Sequence, residues 1–318
     1  MWVFMSAASV VTIGSFDGVH LGHAALLERA REAASGCGAR MVAMVFHPHP
    51  LSALRPDAAP PALTTFAQRE RLLRAHGADE VVRLDPASGV LALSAEAFIA
   101  RIVASHAPVA VVEGPDFRFG RGREGCIETL RSLGERAGFE THVVEQRSVV
   151  LVDQSVAPVS SSLTRWLVEC GRVRDAAALL GRLHEMEGVV ERGDQRGRLL
   201  NMRTANLRSE CLPPRDGVYA GFAALPDGSE RACAISVGTK PMFDGVGRAV
   251  EGHVLDWDGP EEYGWGLRLS FVEWVRDQAR FENVEALVRQ MWADVERVRA
   301  ICARRKNRAP SCATEARA

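Results

Sequence analysis

The sequence predicts two domains in one chain: an α/β domain on a parallel sheet, then an antiparallel barrel or sandwich with a covering helix. Three observations carry this expectation. A chain of 318 residues is longer than one hydrophobic core usually fills. Its first half alternates short β-branched runs with segments of helical periodicity, the pattern of strands joined by helical crossovers. After about residue 184 the texture changes to short strand-like runs separated by Gly, Pro and Asp, which is antiparallel spacing.

In the first half, Val10–Ile13, Met41–Phe46, Glu80–Leu84, Val109–Val112 and Thr141–Glu145 read as strands. Between them, His23–Ala34, Thr65–His76 and Ala95–His106 carry apolar residues at helical spacing. Sheets of this kind bind ligands outside the carboxyl ends of their strands. In the second half the expected strands are Val189–Val190, Gly217–Ala220, Ala232–Val237, His253–Trp257 and Leu267–Phe271. Phe281, Val284, Leu287, Val288, Met291, Val295 and Val298 then recur on one face of a covering helix. The expected domains are residues 1–183 and 184–302, joined by a linker at 180–187, with 303–318 a disordered tail.

Composition narrows the function. Thirty-nine basic against 40 acidic side chains give a formal net charge of -1, so no global positive field draws the chain to nucleic acid or an anionic membrane. The only lysines are Lys240 and Lys306. Cationic chemistry in the first 239 residues must therefore come from arginine, histidine or backbone N–H groups. The seven cysteines show no Cys-x-x-Cys spacing, which reads as reduced thiols and supports neither a disulfide framework nor a zinc site. No basic leader opens the sequence and no apolar run approaches the ~20 residues of a membrane helix, so the expectation is a cytoplasmic protein.

The first constellation is Gly14-Ser15-Phe16-Asp17-Gly18-Val19-His20-Leu21-Gly22-His23, directly after a strand and at the start of a helix. A helix N-terminus offers unpaired N–H groups and partial positive charge to a phosphate. Gly14, Gly18 and Gly22 let backbone approach a ligand, and two imidazoles can donate to phosphoryl oxygens. A second piece, Ser160-Ser161-Ser162-Leu163-Thr164-Arg165, also opens a helical pattern. Its hydroxyls can cap that helix and Arg165 can hold phosphate bidentately, making the other half of a triphosphate clamp.

The pairing of these two motifs resembles the nucleotidyltransferase superfamily. Gly114-Pro115-Asp116-Phe117-Arg118-Phe119-Gly120 and Leu179-Leu180-Gly181-Arg182 narrow the likeness to the bacterial bifunctional riboflavin kinase/FAD synthetase family, across nearly the whole chain. The resemblance implies a Rossmann-like nucleotidyltransferase domain followed by a riboflavin kinase-like β-barrel. It implies that FMN attacks the α-phosphorus of ATP, with His20 and His23 stabilising charge and Arg165, Ser160 and Ser161 steadying pyrophosphate. Gly14, Ser15, Phe16, Asp17 and Gly22 would line the ATP site, and Asp116, Phe117 and Arg118 a flavin or nucleotide pocket. Position 15 is commonly Asn in the family and is Ser here.

Two other motifs carry less weight. Gly120-Arg121-Gly122-Arg123-Glu124-Gly125 satisfies Gly-x-Gly-x-x-Gly with Glu145 about 20 residues on, but Pro115–Phe119 separates it from the preceding strand, unlike a dinucleotide fingerprint. His47-Pro48-His49-Pro50, at a strand's end, could suggest a metal, but the family's similar Pro-His-Pro implies a rigid loop near the ATP site.

The segment from Gly188 to Asn206 resembles the opening of the kinase module, whose Thr and Asn, here Thr204 and Asn206, hold Mg²⁺-ATP in that family. Their oxygens suit a hard cation. Asn201 and Arg203 stand where the family has Gly and Pro, and Met242 where it has Thr. Glu251 matches the family's general base on the riboflavin 5′-hydroxyl, and Arg276 its flavin-side arginine. The kinase module is thus expected to be divergent. Either it is an active kinase around an intact Thr204, Asn206 and Glu251, or it only binds flavin or ATP. The expected substrates are ATP, FMN and riboflavin, with Mg²⁺ as cofactor and no nucleic-acid or membrane partner. Rival readings are another nucleotidyltransferase, and a non-catalytic flavin-binding regulator.

Overall fold

The computed structural model of the chain describes residues 8–193, 202–239, 248–257, 259–260 and 262–308. They form two compact units. The first holds the described residues up to Val150 together with Gln154–Ser161; the second holds Leu151–Asp153 and the described residues from Ser162.

In the first unit the order is β1 (Ser9–Gly14), α1 (Leu21–Cys37), β2 (Arg40–Phe46), α2 (Pro50–Leu54), α3 (Phe66–Ala75), β3 (Glu80–Leu84), α4 (Ala95–His106), β4 (Pro108–Glu113), α5 (Ile127–Ala137) and β5 (Glu140–Val143). A hairpin of β6 (Ser148–Val150) and β7 (Val156–Pro158) follows. The sheet is parallel with strand order β3-β2-β1-β4-β5. Alternate strand residues feed opposite faces, as the pleat requires. Val10, Met41 and Val112 pack with Leu27, Ala30 and Leu73 on one side. Val11, Val42 and Val111 pack with Phe98, Ile99 and Leu130 on the other. Strand order reverses between β1 and β4, so the carboxyl ends of these two strands form the switch-point crevice where such sheets bind ligands.

The second unit opens with α6 (Ser161–Glu169) and α7 (Val173–Leu180), followed by β8 (His184–Glu191), β9 (Ala205–Arg208), β10 (Gly217–Ala224), β11 (Glu230–Thr239), β12 (Arg248–Val254), β13 (Gly266–Arg276) and α8 (Val284–Arg308). The strands close into an antiparallel barrel in the order β10-β11-β12-β9-β8-β13, a barrel and not a sandwich. Val295, Val298, Ile301 and Cys302 of α8 cover Val218, Ala220, Phe222 and Val275.

Three sequence expectations change. The compact units divide at Ser161/Ser162, and Val173 of α7 packs in the barrel core with Met186, Tyr219 and Phe271. The supposed linker therefore contains the start of β8, a paired barrel strand. The strand expected at His253–Trp257 is the end of β12, which stops at Val254; Asp256 at φ 56° turns the chain. Residues 303–308 continue α8 and are not tail. Basic residues at a helix C-terminus suit its dipole, and Lys306 sits 5.4 Å from the Phe222 ring centroid. Residues 309–318 lie outside the described residues. No described helix is long and apolar enough to cross a membrane.

Candidate active sites

At the switch point, the chain leaves β1 at Gly14 and enters α1 at Leu21. His20 is the N-cap: its Nδ1 accepts the His23 N–H at 3.3 Å, so the neutral ring carries its proton on Nε2. The His20 and His23 rings stack 3.6 Å apart at 12°. Gly22 packs closely on this pair, since a Cβ would lie 3.2 Å from the His20 ring. The first turn of α1 holds no acidic residue, leaving its positive end uncompensated by its own helix.

Between Gly14 and His20 the backbone is strained. Phe16 and Val19, both buried, have φ of 48° and 39°, a region that β-branched valine rarely enters. A buried polar network holds that conformation. Asp17 carboxylate oxygens accept from the Leu63 and Thr64 N–H groups, from Thr64 Oγ1 at 2.9 Å and from Arg69 Nη2 at 3.0 Å. Arg69 also donates to the carbonyls of Ser15 (2.8 Å) and Phe46 (3.5 Å) and to both oxygens of Thr64. Both ion-pair partners are only 4% exposed, so losing either would strand a buried charge. Asp17 and Phe16, expected at the ATP site, also shape its loop: the Asp17 carboxylate is engaged with Thr64 and Arg69, and Phe16 is buried beneath Gly14 and His23. Arg69 and Thr64 were not legible as site residues.

Ser161 Oγ donates to the Asp17 carbonyl at 2.8 Å, so the serine motif does reach the histidine loop. Ser160 precedes it, and Arg165 is buried on α6 within the second unit. Beyond β4, Phe117 stacks on Phe119, while Asp116 and Arg118 are exposed on the same loop. The glycine-rich decoy forms a short turn closed by a Phe119–Gly125 bridge, and Glu124 accepts the Ala95 N–H at the start of α4. His49 caps α2 through Nδ1, which fits the rigid-loop reading of its motif. Among the described residues no group of three His, Cys, Asp or Glu is arranged to hold a metal. Glu113 ends β4 fully buried, accepting the Ile13 N–H at 2.6 Å; burial pushes its carboxyl well above the usual range, with that hydrogen bond a smaller opposing effect.

In the barrel, Glu251 of β12 lies opposite Asn206 of β9 in register, and Thr204 Oγ1 donates to Glu251 Oε2 at 3.3 Å. Strand pairing and this hydrogen bond thus gather all three residues despite the Pro-to-Arg exchange at 203, whose carbonyl accepts from His253 Nδ1 at 2.8 Å. Gly193 packs directly on the Asn206 carboxamide, leaving no room for a Cβ. Thr204 and Asn206 line a cavity with Trp257, Tyr263 and Trp265, aromatics that sequence reasoning missed. The two indoles meet edge-on at 5.4 Å. Arg276, expected beside the flavin, is held by Asp294 of α8, which clasps its guanidinium through both carboxylate oxygens at 2.8–3.0 Å, over Phe281. Asn201 and Met242 lie outside the described residues.

The family model described as FAD synthetase matches residues 5–161, and the one described as riboflavin kinase matches residues 180–302. The chain is 34% identical over 297 residues to the bifunctional riboflavin kinase/FMN adenylyltransferase of Pseudomonas fluorescens, covering 92% of this chain and 93% of that one. The chain belongs to the bifunctional riboflavin kinase/FMN adenylyltransferase family. The Escherichia coli K12 member is 32% identical over 294 residues, 90% of each chain. A solved structure from Streptococcus pneumoniae, described as a macrolide-efflux protein, matches with a TM-score of 0.82 at 30% identity over 93% of this chain and 95% of its own.

The riboflavin kinase match begins at residue 180, within the second unit and just before β8. The FAD synthetase match ends at Ser161, where the first unit ends. Two signals could have exposed the missed residues. Thr65 and Gln68 form a capping box that anchors the helix carrying Arg69. A glutamate closing the apolar run Val109-Ala110-Val111-Val112 marked Glu113.

Proposed function

We propose that this polypeptide makes FAD from riboflavin in two ATP-dependent steps, one on each unit. In the barrel, the Glu251 carboxylate takes the proton of the riboflavin 5′-hydroxyl as its oxygen attacks the γ-phosphorus of ATP and ADP leaves. In the α/β unit, a phosphate oxygen of FMN attacks the α-phosphorus of ATP. The bond to the β-phosphate oxygen breaks and pyrophosphate departs.

The observation that carries the second step is the stacked His20–His23 pair at the N-terminus of α1, at the switch point of a parallel sheet. Amide and imidazole N–H groups would receive the polyphosphate, with Gly14, Ser15 and Gly22 giving close approach. Ser160 and Ser161 would support the same phosphates. Arg165 is assigned to pyrophosphate on the strength of its serine-rich motif, and Asp116, Phe117 and Arg118 to the flavin side. Transfer of this kind depends mostly on positioning and on charge stabilisation.

For the first step, the hydroxyl of Thr204, the carboxamide oxygen of Asn206 and the Glu251 carboxylate are an all-oxygen donor set of the hard kind Mg²⁺ accepts. Thr204 and Asn206 would hold the ion, which when bound neutralises ATP phosphate charge. Glu251 would hold the substrate proton.

Product analysis with ATP and Mg²⁺ tests both steps separately. Riboflavin should yield FMN and then FAD, and FMN alone should yield FAD and pyrophosphate. FAD from FMN without FMN from riboflavin would overturn the kinase assignment; no FAD from FMN would overturn the adenylyl-transfer assignment.

A further inference from the structure

The second unit contains another cavity, of about 400 Å³, away from Thr204, Asn206 and Glu251. That size falls within the range of small-molecule sites. Its floor is apolar, with Ala177 and Ala178 of α7, Val272 of β13 and Ile301 of α8 among the residues. Its charged residues are Arg174, Arg182, Arg304 and Arg305 against Glu273, an excess of three positive charges. Each helix contributes through one face: positions 174, 177 and 178 of α7, and 301, 304 and 305 of α8.

These arginines differ from their neighbours. Arg172 on the same side of the unit is held by Asp153 and Asp175 at 2.8 and 2.7 Å, which occupies the nearby carboxylates. Arg299 of α8 is held by Asp256. Among the described residues, Arg174, Arg304 and Arg305 make no ion pair or side-chain hydrogen bond. The helix dipole accounts for cations near the C-terminus of α8, but it opposes Arg174, which lies in the first turn of α7. Like charges gathered round an apolar floor repel one another unless an anion lies between them.

We propose that this groove is a second ligand site, for a phosphorylated small molecule with an apolar body, of which the flavin nucleotides FMN and FAD are the test cases. Arg174, Arg304 and Arg305 grip the phosphate oxygens, and the floor of alanine, valine and isoleucine side chains takes the ring. The site shares no residue with either proposed active site.

Arginine modification by phenylglyoxal, read by peptide mass spectrometry on the full-length protein, tests it. FMN and FAD are expected to slow modification of Arg174, Arg304 and Arg305, whereas riboflavin, which lacks the phosphate, does not. Calorimetric titration of R174A/R304A/R305A should show the loss of one FMN site, or its weakening by at least about tenfold, with both activities retained. Equal modification with and without FMN or FAD, or equal protection by riboflavin, overturns the proposal. His23→Ala separates it from the catalytic assignment, because protection of these arginines should survive that change.

Discussion

The two proposed catalytic centres are assembled by different physics. In the barrel, Asn206 and Glu251 meet because β9 and β12 are neighbours in an antiparallel ladder, and Thr204, just before β9, joins them through its hydrogen bond to Glu251. In the α/β unit no ladder shapes the loop between β1 and α1. Its positive φ values at Phe16 and Val19 are held by Asp17, Thr64 and Arg69, residues far apart in sequence. A ladder site tolerates exchange beside it, as Arg203 illustrates, because the strand pairing persists. A strained loop depends on a few buried partners and has little slack.

The largest effect that would sharpen this contrast is at Glu251. Glu251→Gln removes the proposed base and should slow FMN formation from riboflavin by ~10²–10⁴, with FAD formation from FMN unchanged. A coupled-product assay distinguishes the two, and an equal loss of both would erase the separation between the centres. His23→Ala is the mirror image. Loss of one charge-stabilising donor should cost ~10²–10³ in adenylyl transfer and leave riboflavin phosphorylation intact. Near-wild-type pyrophosphate release would contradict its role.

Arg69→Met addresses the loop itself. Stranding the Asp17 carboxylate should destabilise the first unit by about 3–5 kcal/mol in denaturant unfolding. Arg69→Lys keeps the charge but loses the fork that reaches the Ser15 carbonyl, so it should recover part of the stability and little of the kcat. A lysine variant with full kcat would mean that charge alone, without the geometry, holds the loop.

The smallest effect concerns Glu113. Burial raises its native pKa, so its contribution to stability is complete below the ordinary carboxylate range and is lost as pH rises through the raised value. Glu113→Gln keeps an acceptor for the Ile13 N–H and does not titrate. The Tm difference, variant minus wild type, should therefore grow with pH. A difference that stayed flat across neutral pH would show that Glu113 is not protonated in the native fold.

Much of this was legible before any coordinates. Strand–helix alternation located β1 to β4 to within a residue or two, and the Gly-His motif fell between β1 and α1, as a phosphate-binding segment should. The division of the compact units at Ser161/Ser162 was not legible, since α6 and α7 have the same local periodicity whichever core they join. The pairing of Arg276 with Asp294, eighteen residues later, was not legible either, because no local period links β13 to α8. The turn at Asp256 was hidden because His-Val-Leu-Asp-Trp keeps strand-like composition past the last ladder pair.

By itself the sequence determined the local choices: where strands and helices form, where glycine lets backbone approach a ligand, and which side chains carry phosphate chemistry. These depend on near neighbours and on periodicity, which a linear chain records. Only the tertiary structure decided that Arg69 locks a loop more than fifty positions away, that Glu113 is buried at the switch point, and that arginines of α7 and α8 face one cavity. Burial and long-range pairing arise from how elements pack, and no window along the chain contains both partners.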